Sequence, residues 1–251
     1  MIYVTGDTHG DFRRFNKENF PEQKEMTKED YVIICGDFGG IWAVGKEDKE
    51  ERYWLKWLSE KNFTLLFVDG NHENFDRLYA YPKEEWHGGL VHKIQDNVLH
   101  LTRGQVFTLE GKKFFTFGGA SSHDISGGIL DPNDPEFKRK KARLNKGMRP
   151  YRIRNVSWWE QELPSDEEMR EGLKNLALND YTVDYILTHC CASSTQAILS
   201  HGDFKPDRLT DYLDDIRAKT KFKRWFFGHY HSNRYVNTEE VLLYQQITRI
   251  L

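Results

Sequence analysis

The chain has 251 residues, of which 38% are hydrophobic and 30% charged, and its formal net charge is −3. This composition excludes extensive disorder, and the length suits one elaborated domain over residues 1–251, with two domains as the alternative. No window approaches the roughly 18 consecutive apolar residues of a membrane span. A strand is predicted almost at residue 1, with no basic stretch and apolar signal core before it, so we expect a cytoplasmic protein.

The three cysteines fit a reducing environment. Cys35 lies at the end of a predicted strand, and Cys190 and Cys191 are adjacent, a spacing typical of neither a CxxC metal site nor a disulfide framework. We therefore expect small, packed, reduced thiols. The alternative is a ligand role for Cys190 or Cys191 beside His189.

The first part of the chain alternates between predicted strands and predicted helices. Short apolar runs indicate strands at residues 2–4, 31–35 and 64–68. Apolar residues at helical spacing indicate helices at residues 11–19 and 47–61. This alternation favours an α/β unit with parallel strands and right-handed crossovers.

The pattern changes near residue 90, where short strands follow one another closely. Turn signals separate them, which favours antiparallel pairing, and we expect a second sheet packed on the first. The predicted strands are residues 91–94, 98–101, 105–109 and 114–117.

The last part of the chain returns to mixed elements after an irregular, basic insertion at about residues 126–156. A helix is predicted at residues 165–178, with Ser165 as its N-cap and Glu168 as the capping-box partner. The remaining predictions are strands at 183–187 and 224–227, helices at 194–200 and 206–219, and closing strands at 235–236 and 241–247.

Five of the predicted strands end in residues that ligate metals. Because the carboxyl ends of parallel strands meet at one edge of a sheet, the set predicts one two-metal centre that hydrolyses phosphate esters. Singly, each residue has an ordinary alternative, an Asp as a helix N-cap and a His as a surface or core side chain. The candidate ligands are Asp7, His9, Asp37, Asn71, His189, His229 and His231.

These strand ends resemble the five ordered motifs of the calcineurin-like metallophosphoesterase superfamily. The motifs are GDTHG at residues 6–10, GD at 36–37, GNHE at 70–73, TH at 188–189 and GHYH at 228–231. The resemblance implies an α/β fold, a four-layer αββα sandwich of two mixed β-sheets flanked by helices, with the metal site at the C-terminal ends of the strands. It is nearest to bacterial members of undefined substrate, which share the loop at residues 118–120 and the Trp158-Trp159 pair.

The resemblance also implies a role for each candidate ligand. One metal would be held by Asp7, His9 and His231, and the other by Asn71, His189 and His229. Asp37 would bridge the two and so be both ligand and catalytic residue.

Two cations about 3.5–4 Å apart can clamp a phosphoryl group and lower the pKa of a shared water from ~15.7 toward ~7. The resulting hydroxide would attack phosphorus in line. Imidazole, carboxylate and amide ligands suit Mn, Fe, Zn, Co or Ni, and the resemblance favours Mn or Fe.

His72 directly follows a candidate ligand, and in the resembling family the equivalent histidine points at the substrate. We expect it to act as the general acid for the leaving alkoxide or as an electrostatic clamp. The alternative is an imidazole that only packs in its loop.

Three positions depart from the motifs of the superfamily's protein Ser/Thr phosphatases. Gly40 stands where those enzymes carry the Asp that orients the catalytic His, and Ile41 stands where they carry an Arg that grips phosphate. Asp69 also replaces an Arg before Gly70. The bidentate guanidinium clamp is therefore missing at these positions, and a phosphoprotein phosphatase is disfavoured.

Residues 138–154 contain nine Lys or Arg and no acid. One interpretation is a solvated helix face or loop. The other is an insertion near the site, in which arginines grip a phosphate and Tyr151 stacks on a base. The candidate substrate-binding residues are Arg143, Arg149 and Arg152, with Arg154 as a further option.

Two neighbouring features carry weaker expectations. His123 and Asp124 follow a Gly-Gly-Ala turn and could form a pair behind the ligands, although neither is expected to bind metal. For Trp158 and Trp159, core packing is favoured over a stacking platform.

The sequence therefore predicts a metallophosphoesterase acting on a small phosphomonoester or phosphodiester, with a nucleotide-like ester as one option. A nuclease for single-stranded nucleic acid is the second hypothesis, and the basic stretch is its only direct hint. A catalytically silent protein-binding scaffold is the third, and the complete ligand set argues against it. We expect a small phosphoester partner and no membrane; the sequence does not fix the oligomeric state.

Overall fold

The computed structural model describes residues 1–251. Its helices are α1 (Lys49–Ser59), α2 (Phe75–Leu78), α3 (Phe137–Lys146), α4 (Asp166–Leu178), α5 (Ser193–Ser200) and α6 (Arg208–Lys219). Its strands are β1 (Ile2–Thr5), β2 (Tyr31–Cys35), β3 (Thr64–Val68), β4 (Lys83–Trp86), β5 (Gly89–Gln95), β6 (Val98–Leu101), β7 (Gln105–Leu109), β8 (Lys112–Phe117), β9 (Ile129–Leu130), β10 (Arg152–Ile153), β11 (Tyr185–Thr188), β12 (Arg224–Phe227), β13 (Arg234–Tyr235), β14 (Glu240–Leu242) and β15 (Thr248–Arg249).

Two mixed sheets form the centre of the molecule. The first has the order β15-β1-β2-β3-β6-β5-β4, in which β1, β2, β3 and β6 are parallel. The second has the order β13-β14-β12-β11-β8-β7, in which β14, β12, β11 and β8 are parallel. Each sheet therefore has parallel strands at its centre and antiparallel strands at its edges.

Alternate residues of the central strands are buried on opposite faces of each sheet, as the two-residue period of a strand requires. Ile33 of β2 and Phe114 of β8 belong to the core between the sheets. Val32 packs instead in a second cluster with Leu55 of α1. On the far side, Ile186 of β11 packs in a third cluster with helix α6. These three clusters confirm the predicted four-layer α/β sandwich.

Helix boundaries follow the capping residues. The side chain of Asp48 accepts hydrogen bonds from the amides of Glu50 and Glu51 and so begins α1. The predicted capping box of α4 is confirmed, since Ser165 and Glu168 bond each other's backbone amides. Such caps stabilise a helix by ~1 kcal/mol each.

Several predicted elements were wrong in extent or in position. Residues 11–19 form only a 3-10 turn, because the side chain of Asn16 accepts from the amides of Glu18 and Asn19 and ends the helical course. The strands β5 and β6 extend the first sheet, and only β7 and β8 join the second. β6 belongs to the first sheet because it pairs in parallel with β3. The spacing of apolar residues does not show which sheet a strand joins.

The C-terminal and insertion segments also differ from expectation. The predicted strand at 241–247 is shorter, and the chain instead crosses to pair β15 with β1. Residues 126–156 are more regular than expected, since they contain α3 and the small parallel sheet of β9 and β10.

The three cysteines are buried free thiols, as predicted. A helix with the length and low polarity needed to cross a lipid bilayer does not occur among those described above.

Candidate metal centre

The candidate ligands lie in the loops that follow parallel strands of both sheets. Asp7 and His9 follow β1, Asp37 follows β2 and Asn71 follows β3. From the second sheet, His189 follows β11, and His229 and His231 follow β12. The structure brings all seven side chains together, because the two sheets present their carboxyl strand ends to the same side of the sandwich.

One group of four donors forms the first half of the centre. The donor atoms of Asp7, His9, Asp37 and His231 all lie within 4.8 Å of one another. The Nε2 atoms of His9 and His231 are 3.0 Å apart, and His231 Nε2 lies 3.1 Å from Asp7 Oδ2. This spacing suits four donors turned toward one cation.

A second group lies on the other side of Asp37. His189 Nε2 is 3.3 Å from Asp37 Oδ1 and 3.3 Å from the amide oxygen of Asn71. The ring of His229 packs edge-on against that of His189, with centroids 4.9 Å apart. Asn71, His189 and His229 thus form a second group of candidate ligands.

Asp37 stands between the two groups. Its Oδ2 faces His9 at 3.7 Å, while its Oδ1 faces His189 at 3.3 Å. Its side chain is only 2% exposed. One carboxylate oxygen directed to each half of the centre is the arrangement of a bridging ligand.

The local backbone is bent to bring these side chains inward. Asp37, His9, His229 and His231 all have positive φ, between 45° and 70°, which is unfavourable for residues other than glycine. Such strain persists where surrounding structure holds it, and it is frequent at functional sites.

The glycines before the ligands allow the loops to approach one another. A Cβ on Gly70 would lie 2.1 Å from Asp37 Oδ1, and a Cβ on Gly228 would lie 2.1 Å from Asp7 Oδ1. Any side chain at these two positions would displace a carboxylate of the centre. This explains why the motifs combine glycine with a ligand-type residue.

The electrostatics of the centre call for added positive charge. The carboxylates of Asp7 and Asp37 are buried, and His189 is fully buried beside them. Burial disfavours charge on His189, but the charge and hydrogen bond of Asp37, with Asp7 and the Cys35 carbonyl, raise its pKa to about 10. Burial also lowers the pKa of His9 and of His229, which favours neutral imidazoles there.

These residues fit two metal ions. Buried carboxylates need a nearby cation, and neutral imidazoles with facing nitrogens offer lone pairs to one. The Nδ1 atom of His189 lies 2.9 Å from the Cys35 carbonyl, to which it can donate, leaving Nε2 turned toward Asp37. Metal-binding histidines typically donate their other ring N–H to a carbonyl or carboxylate in this way.

Behind Asn71 lies a chain of buried polar groups that the sequence analysis missed. Asn71 Nδ2 donates to Ser122 Oγ at 3.3 Å, and Ser122 Oγ donates to Glu162 Oε2 at 2.7 Å. These contacts turn the amide oxygen of Asn71 toward His189. Burial raises the pKa of Glu162 to about 8. Glu162 belongs to none of the sequence motifs. The only feature of the sequence that could have drawn attention to it is its position close to the Trp158-Trp159 pair.

His123 and Asp124 do not form the expected pair. His123 Nε2 lies 2.7 Å from His229 Nε2, whereas Asp124 accepts from Arg152 Nε at 2.9 Å. The loop directs the two side chains to different partners, so only His123 contacts a candidate ligand.

His72 lies at the edge of the centre, where Arg152 reaches it. Arg152 is buried, and its terminal nitrogen lies 3.1 Å from His72 Nε2. Burial lowers the pKa of His72 to about 4, an effect that Asp37 opposes and Arg152 strengthens. Because a guanidinium only donates hydrogen bonds, this contact leaves Nε2 as an acceptor on a neutral ring.

The other candidate arginines lie elsewhere. Arg143 is exposed on α3, and Arg149 donates to the Ser126 carbonyl. Arg154 lies over the ring of Trp158, 5.1 Å from its centroid. The hydroxyl of Tyr151 donates to the Asn145 side chain. Of the basic stretch, only Arg152 contacts a residue of the centre.

Two further positions are explained by packing. Asp69, which replaces an arginine of the protein phosphatases, is fully buried and held by Arg103 Nε at 2.9 Å and His100 Nε2 at 3.0 Å. Trp159 is buried in the interior, as predicted, and donates to Asp76 at 2.8 Å.

Two mixed sheets with this donor set at their strand ends define a class of protein, the metallophosphoesterases, which are hydrolases acting on phosphoric ester bonds. The chain belongs to the calcineurin-like phosphoesterase family, whose sequence pattern matches residues 1–233. Members of this family typically bind two metal ions. The predicted family and enzyme class are thereby confirmed.

Among characterised proteins, the chain is similar to lariat debranching enzymes. It is 26% identical to "Lariat debranching enzyme" of Danio rerio over 170 residues, which cover 62% of this chain and 27% of that protein. It is also 26% identical to "Lariat debranching enzyme A" of Xenopus laevis over 168 residues, 62% of this chain and 29% of that protein. The similarity thus spans less than a third of either relative.

Proposed function

We propose that the chain is a single-domain, dinuclear metallophosphoesterase that hydrolyses a nucleotide-like phosphomonoester or phosphodiester. The observation that carries this proposal is Asp37, which directs one carboxylate oxygen to each of two donor groups. The first group comprises Asp7, His9 and His231, and the second comprises Asn71, His189 and His229. Mn or Fe is the metal pair we propose, with Zn, Co or Ni as the other ions that this donor set accepts.

When bound, two cations would polarise a phosphoryl oxygen and make a water acidic enough to attack at neutral pH. The protein's contribution is to hold the ligands rigidly. Buried strand ends fix Asp7, Asp37 and His189, and the Ser122–Glu162 chain fixes Asn71. Such preorganisation means that little reorganisation is needed when charge develops on the phosphoryl oxygens.

His72 and Arg152 form the proposed phosphate clamp. Of the two roles predicted for His72, the geometry favours the clamp over the general acid, because Arg152 donates to Nε2 and leaves no proton there for a leaving alkoxide. The positive charge of this clamp is that of Arg152, which the neutral His72 ring helps to position. The Arg152 guanidinium adds fixed positive charge at the edge where the ester would enter. Asp124 and the carbonyl of Ser157 hold Arg152 in this position.

A nucleotide-like substrate is supported by the two relatives named as lariat debranching enzymes. Activity on single-stranded nucleic acid is the second candidate function, favoured by the unpaired cations of α3 such as Arg143.

A cytoplasmic location remains our proposal, supported by the three buried free thiols.

A panel of phosphoesters, assayed with protein loaded with Mn, Fe, Zn, Co or Ni, tests the proposal. We expect hydrolysis that a chelator abolishes and added metal restores. The Asp37→Asn variant serves as the control for contaminating phosphatases. Hydrolysis that is unaffected by chelation, or equal in the variant, would overturn the assignment.

A further inference from the structure

A cleft of about 350 Å³ opens directly beside the candidate metal centre. It is lined by His9 and His72, which belong to or adjoin the centre, and by Trp42 and Trp54. Its volume lies within the range of about 300–1,000 Å³ that is usual for ligand sites. A phosphoester at the centre would therefore have room for its organic group in this cleft.

Two tryptophans give the cleft aromatic walls. Trp42 stacks against His72, with ring centroids 5.7 Å apart and planes inclined by 30°. Trp54, on α1, packs edge-on against Phe12 at 5.7 Å. Both indoles are only half-buried, so part of each faces the cleft.

One side of the cleft is acidic. Asp48, Glu50 and Glu51 all line it. Two of these carboxylates have partners, since Asp48 caps α1 and Glu51 pairs with Arg77. Glu50 is exposed, and its carboxylate has no hydrogen-bond or ion-pair partner. The cleft thus offers one uncommitted acceptor next to aromatic surface.

We propose that this cleft binds the organic group of the substrate, a nucleobase or similar planar ring that carries N–H donors. The inference rests on the proposed phosphoesterase function and names the substrate class for the same site. The ring stacks on tryptophan while its N–H groups face Glu50. Aliphatic alcohols gain no stacking interaction.

The acidic side also limits how the substrate extends. The uncommitted carboxylate of Glu50 repels a further phosphate on this side, so a terminal nucleoside fits the cleft better than a continuing polynucleotide backbone. The substrate class is therefore a small nucleoside ester, in preference to an internal position of a strand.

Variants of helix α1 provide a matched test. Trp54 lines the cleft, whereas Trp57, also half-buried and packed against the same core cluster, does not. We would compare adenosine monophosphate with glycerol phosphate, whose leaving groups are both alkoxides. Trp54→Leu is expected to lower the ratio of kcat/KM for the two esters about tenfold, because base stacking on an aromatic ring is lost. Trp57→Leu is expected to have the same ratio of kcat/KM for the two esters as the wild-type protein.

A binding measurement separates failure of the cleft from failure of the phosphoesterase assignment. Adenosine alone, titrated by calorimetry, is expected to bind the unchanged protein and Trp57→Leu more tightly than Trp54→Leu. Glu50→Gln is expected to weaken binding, with the remote Glu29→Gln as its control. Metal-dependent hydrolysis of both esters with no difference between the tryptophan variants would overturn the cleft proposal alone. Adenosine binding that depends on Trp54, without hydrolysis of any ester, would support the cleft and overturn the phosphoesterase assignment.

Discussion

The strand-end loops and the basic stretch at residues 138–154 both contain groups suited to phosphate chemistry, yet these groups converge in the loops and are dispersed in the basic stretch. In the strand-end loops, buried strands and close glycine contacts bring all seven candidate ligands to one place. In the basic stretch, nine cations lie along helix α3, the following loop and strand β10, most of them exposed, and only the buried Arg152 contacts the centre. A rigid backbone, more than charge density, therefore determines which residues meet in this molecule.

Removal of the residue shared by both halves of the proposed centre should have the largest effect. Asp37→Asn is expected to lower kcat/KM by about 10³-fold or more, since several kcal/mol of electrostatic stabilisation depend on two bound cations. Metal content per chain should fall as well. Retention of both metals and of full activity would remove Asp37 from its bridging position, and circular dichroism would establish that the variant is folded.

His72 is the residue of the strand-end loops that contacts Arg152 of the basic stretch. His72→Asn is expected to keep both metals and to lower kcat about 10²-fold, the usual order for one preorganised electrostatic contact, because the Nε2 acceptor that positions the Arg152 guanidinium is removed. The loss should be similar for alkyl and p-nitrophenyl esters, because a clamp acts on the phosphoryl group. A loss confined to alkyl esters would show that His72 is instead the general acid.

Arg152 is the residue by which the basic stretch joins the centre. Arg152→Lys is expected to lower kcat/KM about tenfold, because a charge-assisted hydrogen bond is worth ~1.5–3 kcal/mol and lysine cannot reproduce the guanidinium contacts with both Asp124 and His72. Thermal unfolding of the variant would separate this effect from a loss of folded protein. An unchanged kcat/KM would place Arg152 outside the clamp.

The remaining arginines should have the smallest effect. Arg143→Ala and Arg149→Ala are each expected to change kcat/KM on small esters by less than about twofold, as exposed substitutions usually do. Their activity on single-stranded DNA provides a second measurement. A large loss of activity on single-stranded DNA, with activity on small esters unchanged, would favour the nuclease function and indicate that the basic stretch binds the nucleic acid.

The sequence was sufficient to predict which side chains gather at the strand ends, because each candidate ligand lies within a few residues of the end of a buried strand. The same reasoning failed for β5 and β6, since short alternating runs do not reveal which sheet they join. It also gave no means to select Arg152 from its eight basic neighbours, because that choice depends on where Asp124 and β10 place the guanidinium. Glu162 was missed for a similar reason, since its partner Ser122 lies 40 residues away.

The central claim is that two cations lie on either side of Asp37. Anomalous scattering from crystals of the Mn-loaded protein tests it most directly. We expect two peaks about 3.5–4 Å apart, one beside His9 and His231 and the other beside Asn71 and His189. A single peak, or two peaks not bridged by Asp37, would contradict the dinuclear account.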